Sequence, residues 1–230
     1  MIKRLAIWVL LAAALPLAAC ATKPMTDDER ARQIVASAQT TYEKFLASQD
    51  QPMARFRQLL PHAQGIVILP GVIKGGFIVG AEGGNGVLLA KDASGAWGPP
   101  AFYLMAAGSI GLQAGAQVGD MILLVFNRDA VASIIKHQGK LGADLGLTIG
   151  TVGAGVEAAT TTNVGADVVA FVQGIGAFAG GSLEAAALIK RSDLNAAFYG
   201  QAMTPADIVL HGRVQNPAAD GLREALAGRQ

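Results

Sequence analysis

The chain has very little cysteine: Cys20 is the single one among its 230 residues. If a leader that precedes Cys20 is removed and this thiol is lipidated, no free thiol remains. Disulfides, a Cys-x-x-Cys redox pair and thiolate zinc sites are then all excluded. Three histidines lie far apart, and none has a second ligand three or four residues away, so the sequence predicts no metal site and no cofactor. They are His62, His137 and His211.

The chain also lacks a hydrophobic run long enough to span a bilayer. Two basic residues, Lys3 and Arg4, precede the longest apolar stretch, which runs from Leu5 to Leu17. About 13 helical residues cover roughly 20 Å, which is short of the ~30 Å hydrocarbon core. A charged start, a short apolar segment and small residues before a cleavage point are typical of an export signal.

The cleavage point, Leu17-Ala18-Ala19-Cys20, resembles the lipobox of bacterial lipoproteins. In such proteins the chain is cut before the cysteine, and Cys20 would carry a covalent lipid anchor. Two or more acyl chains anchor a protein stably, whereas one does so only marginally. Ala21 follows the cysteine where an Asp would favour the inner membrane, so we expect an outer-membrane anchor facing the periplasm.

The chain also has no excess of positive or negative charge. Removal of residues 1–19 takes away Lys3 and Arg4 and leaves 16 basic against 17 acidic residues, a net charge of −1 over 211 residues. Such a balance does not favour a nucleic-acid partner. We therefore expect four parts: a signal peptide (1–19), a lipidated tether (20–25), one domain (26–212) and a C-terminal tail (213–230) that frays from Asn216 onward.

Two amphipathic helices are predicted at the start of the domain. Thr26 to Glu29 fits a capping box, and a second helix begins after Asp50, with Pro52 in its first turn. The first helix could lie on a membrane or pack on the domain's own sheet. Its apolar face carries Ala31, Ile34, Val35, Ala38, Tyr42, Phe45 and Leu46, and that of the second helix carries Met53, Phe56, Leu59 and Leu60.

From Gly65 onward the pattern changes to short apolar runs separated by turn residues, and 29 glycines are spread through them. The run Met121–Phe126 does not alternate, which predicts a strand covered on both faces. Together these features predict an α+β domain with a curved, largely antiparallel sheet or barrel and short flanking helices. Predicted strands are 65–69, 75–82, 86–91, 101–113, 121–127, 141–151 and 166–188, with a tight turn at 83–85; predicted helices are 128–137 and two that start at Ser192 and at Thr204-Pro205.

Motifs for catalysis are weak. Ser109 lies in a string that imitates a nucleophile elbow, but the residues that follow continue as strand or loop instead of a helix. Gly174 to Ala179 imitates a dinucleotide fingerprint, but a strand prediction from Phe178 competes with the helix that this motif needs. The sequence therefore favours a domain that is not an enzyme, with a hydrolase based on Ser109 as a remote alternative.

Several strings in a fixed order resemble the SYLF-domain family of bacterial envelope lipoproteins and eukaryotic membrane-traffic proteins. The resemblance covers about residues 33–212. The strings are GIVILP (65–70), KGGF (74–77), GAWGPPAF (95–102), GSIGLQAG (108–115), LGAD (141–144), FAGGSLE (178–184) and YG (199–200).

This resemblance implies phospholipid binding without catalysis. The family's lipid contacts are attributed to its amphipathic N-terminal helix and to basic residues near the sheet. The family's Ser-Lys pair and one of its arginines are replaced by Gly174-Ile175 and Ala154, which shifts the expectation from headgroup recognition towards acyl-chain or general bilayer contact. The implied contact residues are Lys74 and Lys140 as cations and Phe45, Leu46, Phe56 and Leu59 as an apolar face.

Two functions follow from these observations. The first is binding of membrane phospholipid by a lipid-anchored periplasmic protein. The alternative is a structural or scaffolding lipoprotein that binds another envelope protein through its glycine-rich strands.

Overall fold

The computed structural model describes residues 23–76, 79–110, 115–137, 149–153, 166–174 and 186–228. Cys20, Lys140 and much of the predicted strands 141–151 and 166–188 lie outside these ranges. The helices are α1 (Asp27–Ala47), α2 (Gln51–Leu59), α3 (Arg128–Lys136), α4 (Ser192–Tyr199) and α5 (Asp220–Ala227). The strands are β1 (Gly65–Gly76), β2 (Val79–Ala90), β3 (Ala101–Ile110), β4 (Gly115–Val125), β5 (Ile149–Gly153), β6 (Val168–Gly174) and β7 (Ala187–Lys190).

Helix α1 begins at the predicted capping box. The Thr26 hydroxyl accepts a hydrogen bond from the Glu29 backbone N–H at 3.2 Å, and the Glu29 carboxylate accepts one from the Thr26 N–H at 2.8 Å. These bonds satisfy backbone donors that a helix start otherwise leaves unpaired. The apolar face of α1 packs against the sheet, which is the second of its two predicted locations.

Aromatic rings join the first two helices to the sheet. Phe56 of α2 lies edge-on to Phe45 of α1, with ring centroids 5.7 Å apart, and to Phe171 of β6 at 5.3 Å. Edge-to-face pairs of this kind add about 0.5–1.5 kcal/mol to the gain from area burial. They hold α1 and α2 on one face of the sheet.

The described strands form one sheet in the order β5-β6-β4-β1-β2-β3-β7. All neighbouring pairs are antiparallel except β5 and β6, which run parallel. The predicted α+β class with a largely antiparallel sheet is confirmed. Within the described ranges, no helix combines the length and the apolar character needed to cross a bilayer.

Residues 121–125 of strand β4 are buried on both faces, as the absence of alternation predicted. Ile122 and Leu124 face the core that contains α1 and α2. Leu123 and Val125 face a second core, which contains α3 and the π-helical turn Ala206–Leu210. The sheet is therefore a middle layer between helices.

The prediction of three short strands with a turn at 83–85 is wrong. These residues lie inside β2, which pairs with β1 from Gly65↔Ala90 to Gly76↔Gly80. The register shifts between Ile68 and Ile73, and at Gly86 a Cβ atom would lie 2.1 Å from the Ile68 carbonyl oxygen. The glycines of β2 thus allow β1 and β2 to approach closely at a bulge. The sequence had predicted a turn here.

The flanking helices confirm two predictions and correct one. Helix α3 matches the expected helix from Arg128 and is capped by the Asn127 side chain, which accepts from the Ala130 N–H at 2.6 Å. Helix α4 starts at Ser192 as expected. The segment after Thr204-Pro205 forms the π-helical turn at 206–210, where an ordinary short helix was expected.

The C-terminal segment does not fray, so that prediction is wrong. Leu222 and Leu226 of α5 are buried in the core beside α1. The Arg223 guanidinium also donates to the Trp97 carbonyl at 3.0 Å. Leucines four residues apart form an apolar stripe on one helix face, and burying it offsets the loss of chain entropy.

Candidate functional site

The apolar residues that the resemblance implied for lipid contact lie in the protein core. Phe45 and Phe56 are fully buried, Leu46 is nearly so, and Leu59 is half-buried against the same cluster. Full burial of a side chain of this size stabilises the fold by about 1.5–3 kcal/mol. In this packed conformation the four side chains therefore do not offer an apolar face to a bilayer, and their predicted exposure is corrected.

Lys74 is buried too. It is 8% exposed and lies directly opposite Glu82 of β2, which is 6% exposed. Burial raises the pKa of the Glu82 carboxyl above its ordinary value, and the charge of Lys74 partly opposes this rise. The structure thus corrects the expectation of an exposed cation at Lys74, while Lys140 and Cys20 lie outside the described residues.

Ser109 does not occupy a nucleophile elbow. It pairs with Gly80 inside the antiparallel ladder of β2 and β3, so the backbone is extended where an elbow needs a sharp strand-to-helix turn. His62, His137 and His211 are all exposed. In the described part of the chain, no group of three His, Cys, Asp or Glu residues could hold a metal ion.

None of the described helices covers one half of the sheet face that carries α1. The residues there are directly opposed from strand to strand and form one row across five strands, which we call the open row. Ile73 and Val118 are each 58% exposed, and no member of the row is buried. The open row consists of Val118 (β4), Ile73 (β1), Gly83 (β2), Ala106 (β3) and Ala187 (β7).

An ion pair marks where the helical cover ends. The Lys44 ammonium near the end of α1 lies 2.8 Å from the Asp120 carboxylate of β4. Asp120 also accepts a hydrogen bond from the Gly71 N–H at the β1 bulge, at 2.9 Å. Beyond Asp120, the next residue of β4 on the same face is Val118 of the open row, because side chains alternate along a strand.

The neighbouring row on this face is equally free of charge. Gly75, Ala81 and Gly108 are opposed in register, and Ala81 and Gly108 are exposed. Uncharged small residues beside Ile73 and Val118 make an apolar surface. Sequence reasoning missed it because only strand register brings these positions together, and neither residue lies in a predicted strand.

A second surface feature is a cleft between α1 and α5. The Gln39 amide of α1 lies where a side chain at Gly221 of α5 would be, with Oε1 2.8 Å from a Cβ placed there. One turn further along both helices a cleft of about 450 Å³ opens. It is lined by Tyr42, Glu43, Leu46, Ala47, Glu224, Ala225 and Gly228.

The described residues define an α+β domain with helices on both faces of the sheet, in which no described helix lies over the open row. The family model described as "Ysc84: Las17-binding protein actin regulator" matches residues 106–229, and the chain belongs to this family. The resemblance to the SYLF family is thereby confirmed.

Curated relatives agree with the family model. LAS seventeen-binding protein 3 of Saccharomyces cerevisiae is 32% identical over 208 residues, covering 89% of this chain and 44% of the relative. Protein YSC84 of the same species is 33% identical over 175 residues, covering 74% of this chain and 37% of the relative. The human SH3 domain-containing YSC84-like protein 1 is 34% identical over 170 residues, covering 73% of this chain and 49% of the relative. The chain thus spans less than half the length of each of these relatives. The printed names of the family and of the yeast LAS seventeen-binding protein refer to binding or regulating other proteins.

Proposed function

We propose that this chain is a non-enzymatic binding module that holds a protein partner against the open row. The observation that carries the proposal is the uncharged open row across five strands, with the exposed Val118 at one end and the exposed Ile73 next to it. A relative named as a LAS seventeen-binding protein supports a protein as the ligand class. The partner must share the cellular compartment of this chain. The name of the yeast relative does not identify it.

The chemistry of the open row suits a protein–protein contact. The cores of such interfaces are depleted in charged residues and are packed as densely as protein interiors. Small residues at 83, 106 and 187 let a partner approach the sheet closely, while Ile73 and Val118 supply apolar area. A partner that covers the row would remove both side chains from water.

The proposal also places the module at a membrane. The lipobox-like sequence before Cys20 would give the mature chain a lipid anchor on the periplasmic side of the outer membrane. Six residues lie between Cys20 and Asp27, the first residue of α1, and seven extended Cα–Cα steps reach about 25 Å. A module held this close to a bilayer would meet other envelope proteins, which makes an envelope protein the expected partner.

Phospholipid is the second candidate ligand, and the same exposed apolar row favours it. Ile73 and Val118 are exposed and could rest on a bilayer. This contact would not need the apolar side chains of α1 and α2, which lie in the core. With Lys74 buried, this contact would depend on apolar area more than on charge. Binding should then respond little to salt, because screening acts on charged groups.

Photo-crosslinking in intact cells tests the proposal. A photoreactive residue at Ile73 or at Val118 should yield a crosslink to one defined envelope protein, whereas one at Ala93, in an exposed turn, should not. Ile73→Lys and Val118→Lys should weaken that partner's binding, and Leu210→Lys, at an exposed leucine elsewhere, should leave it unchanged. Co-sedimentation of the chain without its anchor on neutral and anionic vesicles examines the lipid alternative. Equal crosslinking from all three positions, with no vesicle binding, would contradict both ligand classes.

A further inference from the structure

The start of α1 lies beside the open row. The Arg191 guanidinium, directly after β7, donates to the Asn85 side chain of β2 at 2.6 Å. Asn85 is two residues from Gly83 of the open row, about 7 Å along the same face of the strand. The hydrogen bond to Asp193 raises the pKa of the Arg191 guanidinium most, and the nearby carboxylate of Asp27, the first residue of α1, raises it further. The chain therefore enters the domain near the β7 end of the open row, and α1 runs from there towards β4.

Exposed apolar side chains continue from the open row towards this point of entry. Ile189 of β7 is exposed and lies two residues from Ala187 of the open row, on the same face of the strand. Met25, two residues before α1, is exposed as well. Single exposed apolar side chains are common on protein surfaces, whereas a larger apolar surface marks a binding site. Here the exposed apolar side chains extend from Val118, at the far end of the open row, to the segment that follows Cys20.

The reach of the tether and the length of the open row both fit an acyl chain. Seven extended Cα–Cα steps from Asp27 to Cys20 reach about 25 Å, which is enough to bring a lipid on Cys20 to the β7 end of the row. The row crosses four spaces between neighbouring strands of about 4.8 Å each, and is therefore about 19 Å long. One acyl chain spans half of the ~30 Å hydrocarbon core of a bilayer, or about 15 Å. An acyl chain on Cys20 can thus lie along most of the open row.

We propose that, outside a bilayer, one acyl chain of the Cys20 lipid anchor lies along the open row. This inference rests on the proposed function, because it describes regulation of the same surface, and on lipidation of Cys20. The small residues of the row leave room for an acyl chain next to the sheet, and Ile73 and Val118 would contact its far end. The row carries no charged side chain, so covering it with hydrocarbon buries no charge.

Insertion of the anchor into a bilayer would then uncover the open row. In water, the row offers the acyl chain an apolar surface within reach, and contact with it removes hydrocarbon from water. In a bilayer, the hydrocarbon core takes the acyl chain instead, together with the other chains of the anchor. The acyl chain and the protein partner exclude each other, because both need Ile73 and Val118. The partner would thus bind only a chain that has reached its membrane.

Thiol labelling tests this inference. In the lipidated full chain the anchor occupies the thiol of Cys20, so Ile73→Cys supplies the single free thiol. Its rate of reaction with a water-soluble maleimide is measured at nanomolar protein concentration in detergent-free buffer, and again after insertion into phosphatidylcholine vesicles. Ala93→Cys, in an exposed turn, is the matched control. Ile73→Cys is also combined with Ala187→Glu, which places a charge in the path of the acyl chain, and with Leu210→Glu, at an exposed leucine outside the row.

We expect the thiol introduced at position 73 to react at least about fivefold more slowly in buffer than in vesicles, because the acyl chain shields it from water. This protection should disappear with Ala187→Glu and persist with Leu210→Glu, and an unchanged thermal midpoint shows that both variants fold. The thiol introduced at position 93 should react at one rate in both media.

Three results would overturn the inference. The first is an equal rate at position 73 in buffer and in vesicles, or a slower rate in vesicles, which would mean that the row rests on the bilayer. The second is protection that grows with protein concentration, because the anchors of other copies would then be the occupants. The third is a mass spectrum that shows no lipid on Cys20. If the inference fails while crosslinks from Ile73 and Val118 to an envelope protein persist, the proposed function stands without it.

Discussion

Substitution of Lys74 by methionine should strongly destabilise this protein at neutral pH. Lys74 and Glu82 are directly opposed on β1 and β2, and both are more than nine-tenths buried. Directly opposed residues in an antiparallel pair have Cα atoms about 4.5–5.5 Å apart, so their side chains interact. One Glu82 carboxylate oxygen is buried without a hydrogen bond. The charge of Lys74 lowers the pKa of this carboxyl and so favours its ionised form, while burial raises the pKa by a larger amount.

The expected magnitude follows from this burial. Removing one partner of a buried ion pair typically costs about 3–5 kcal/mol, because the other charge stays buried without compensation. Replacing both partners by apolar residues is often neutral or stabilising by about 1–4 kcal/mol. Lys74→Met should thus lose about 3–5 kcal/mol, while Lys74→Met/Glu82→Leu should return to near or above the wild-type stability.

The pH dependence provides an independent check. Burial raises the pKa of Glu82 above its ordinary value of 4.5, and Lys74→Met removes the charge that opposes this rise. A carboxyl with a raised folded-state pKa favours folding below the unfolded-state pKa, and this contribution is lost as the pH rises through the folded-state pKa. The loss caused by Lys74→Met should therefore be full at about pH 7 and small at about pH 4.

Urea unfolding at these two pH values measures a double-mutant cycle. It compares the wild type, Lys74→Met, Glu82→Leu and the double variant Lys74→Met/Glu82→Leu. A loss below about 1 kcal/mol for Lys74→Met would show that Lys74 behaves as a surface residue, since surface substitutions usually change stability by less than about 0.5 kcal/mol. A loss of equal size at both pH values would show that the ionised Glu82 is not what Lys74 stabilises. Either result would restore Lys74 as a candidate for contact with phosphate.

Three other substitutions test the fold. Gly86→Ala places a Cβ 2.1 Å from a β1 carbonyl oxygen and should cost at least about 2 kcal/mol in urea unfolding, whereas Gly108→Ala, with nothing within 4 Å, should cost less than about 0.5 kcal/mol. Equal effects would contradict the register of β1 and β2. Leu222→Ala should cost about 2–5 kcal/mol because its side chain is fully buried, and Leu210→Ala, at an exposed leucine, should cost far less. If Leu222→Ala left the free energy of unfolding unchanged, the C-terminal segment would be a frayed tail, as the sequence predicted. Thr26→Ala removes the cap of α1 and should lower the free energy of unfolding by about 1 kcal/mol, and no change in thermal melting would rule out a stabilising capping box.

The open row and the cleft between α1 and α5 differ in what the sequence reveals of them. Ile73 and Val118 lie outside the predicted strands, and their pairing across β1 and β4 was not predicted either, since register depends on strands about 45 residues apart. The cleft was not predicted at all. Glu43 belongs to the polar face of α1 and Glu224 to a segment expected to fray, and only the packing of Gln39 on Gly221 brings the two together.

Local patterns determined much of the architecture. The capping box at Thr26, the apolar face of α1 and the two-faced burial of β4 all follow from residues close in sequence, because helices and strands repeat over a few positions. The resemblance carried by ordered strings likewise identified the family from the sequence alone.

Tertiary structure decided which apolar and charged residues reach the surface. Phe45 and Phe56 have the pattern of a membrane-facing helix as well as that of a core helix. The contact of Phe56 with Phe171, and of Phe45 with Phe56, selects the core. Lys74 is a charged residue on a strand, and its burial opposite Glu82 is a result of tertiary packing that its own sequence neighbours do not indicate. Amphipathic periodicity states that a face is apolar but not what covers it, because the covering group comes from a distant part of the chain.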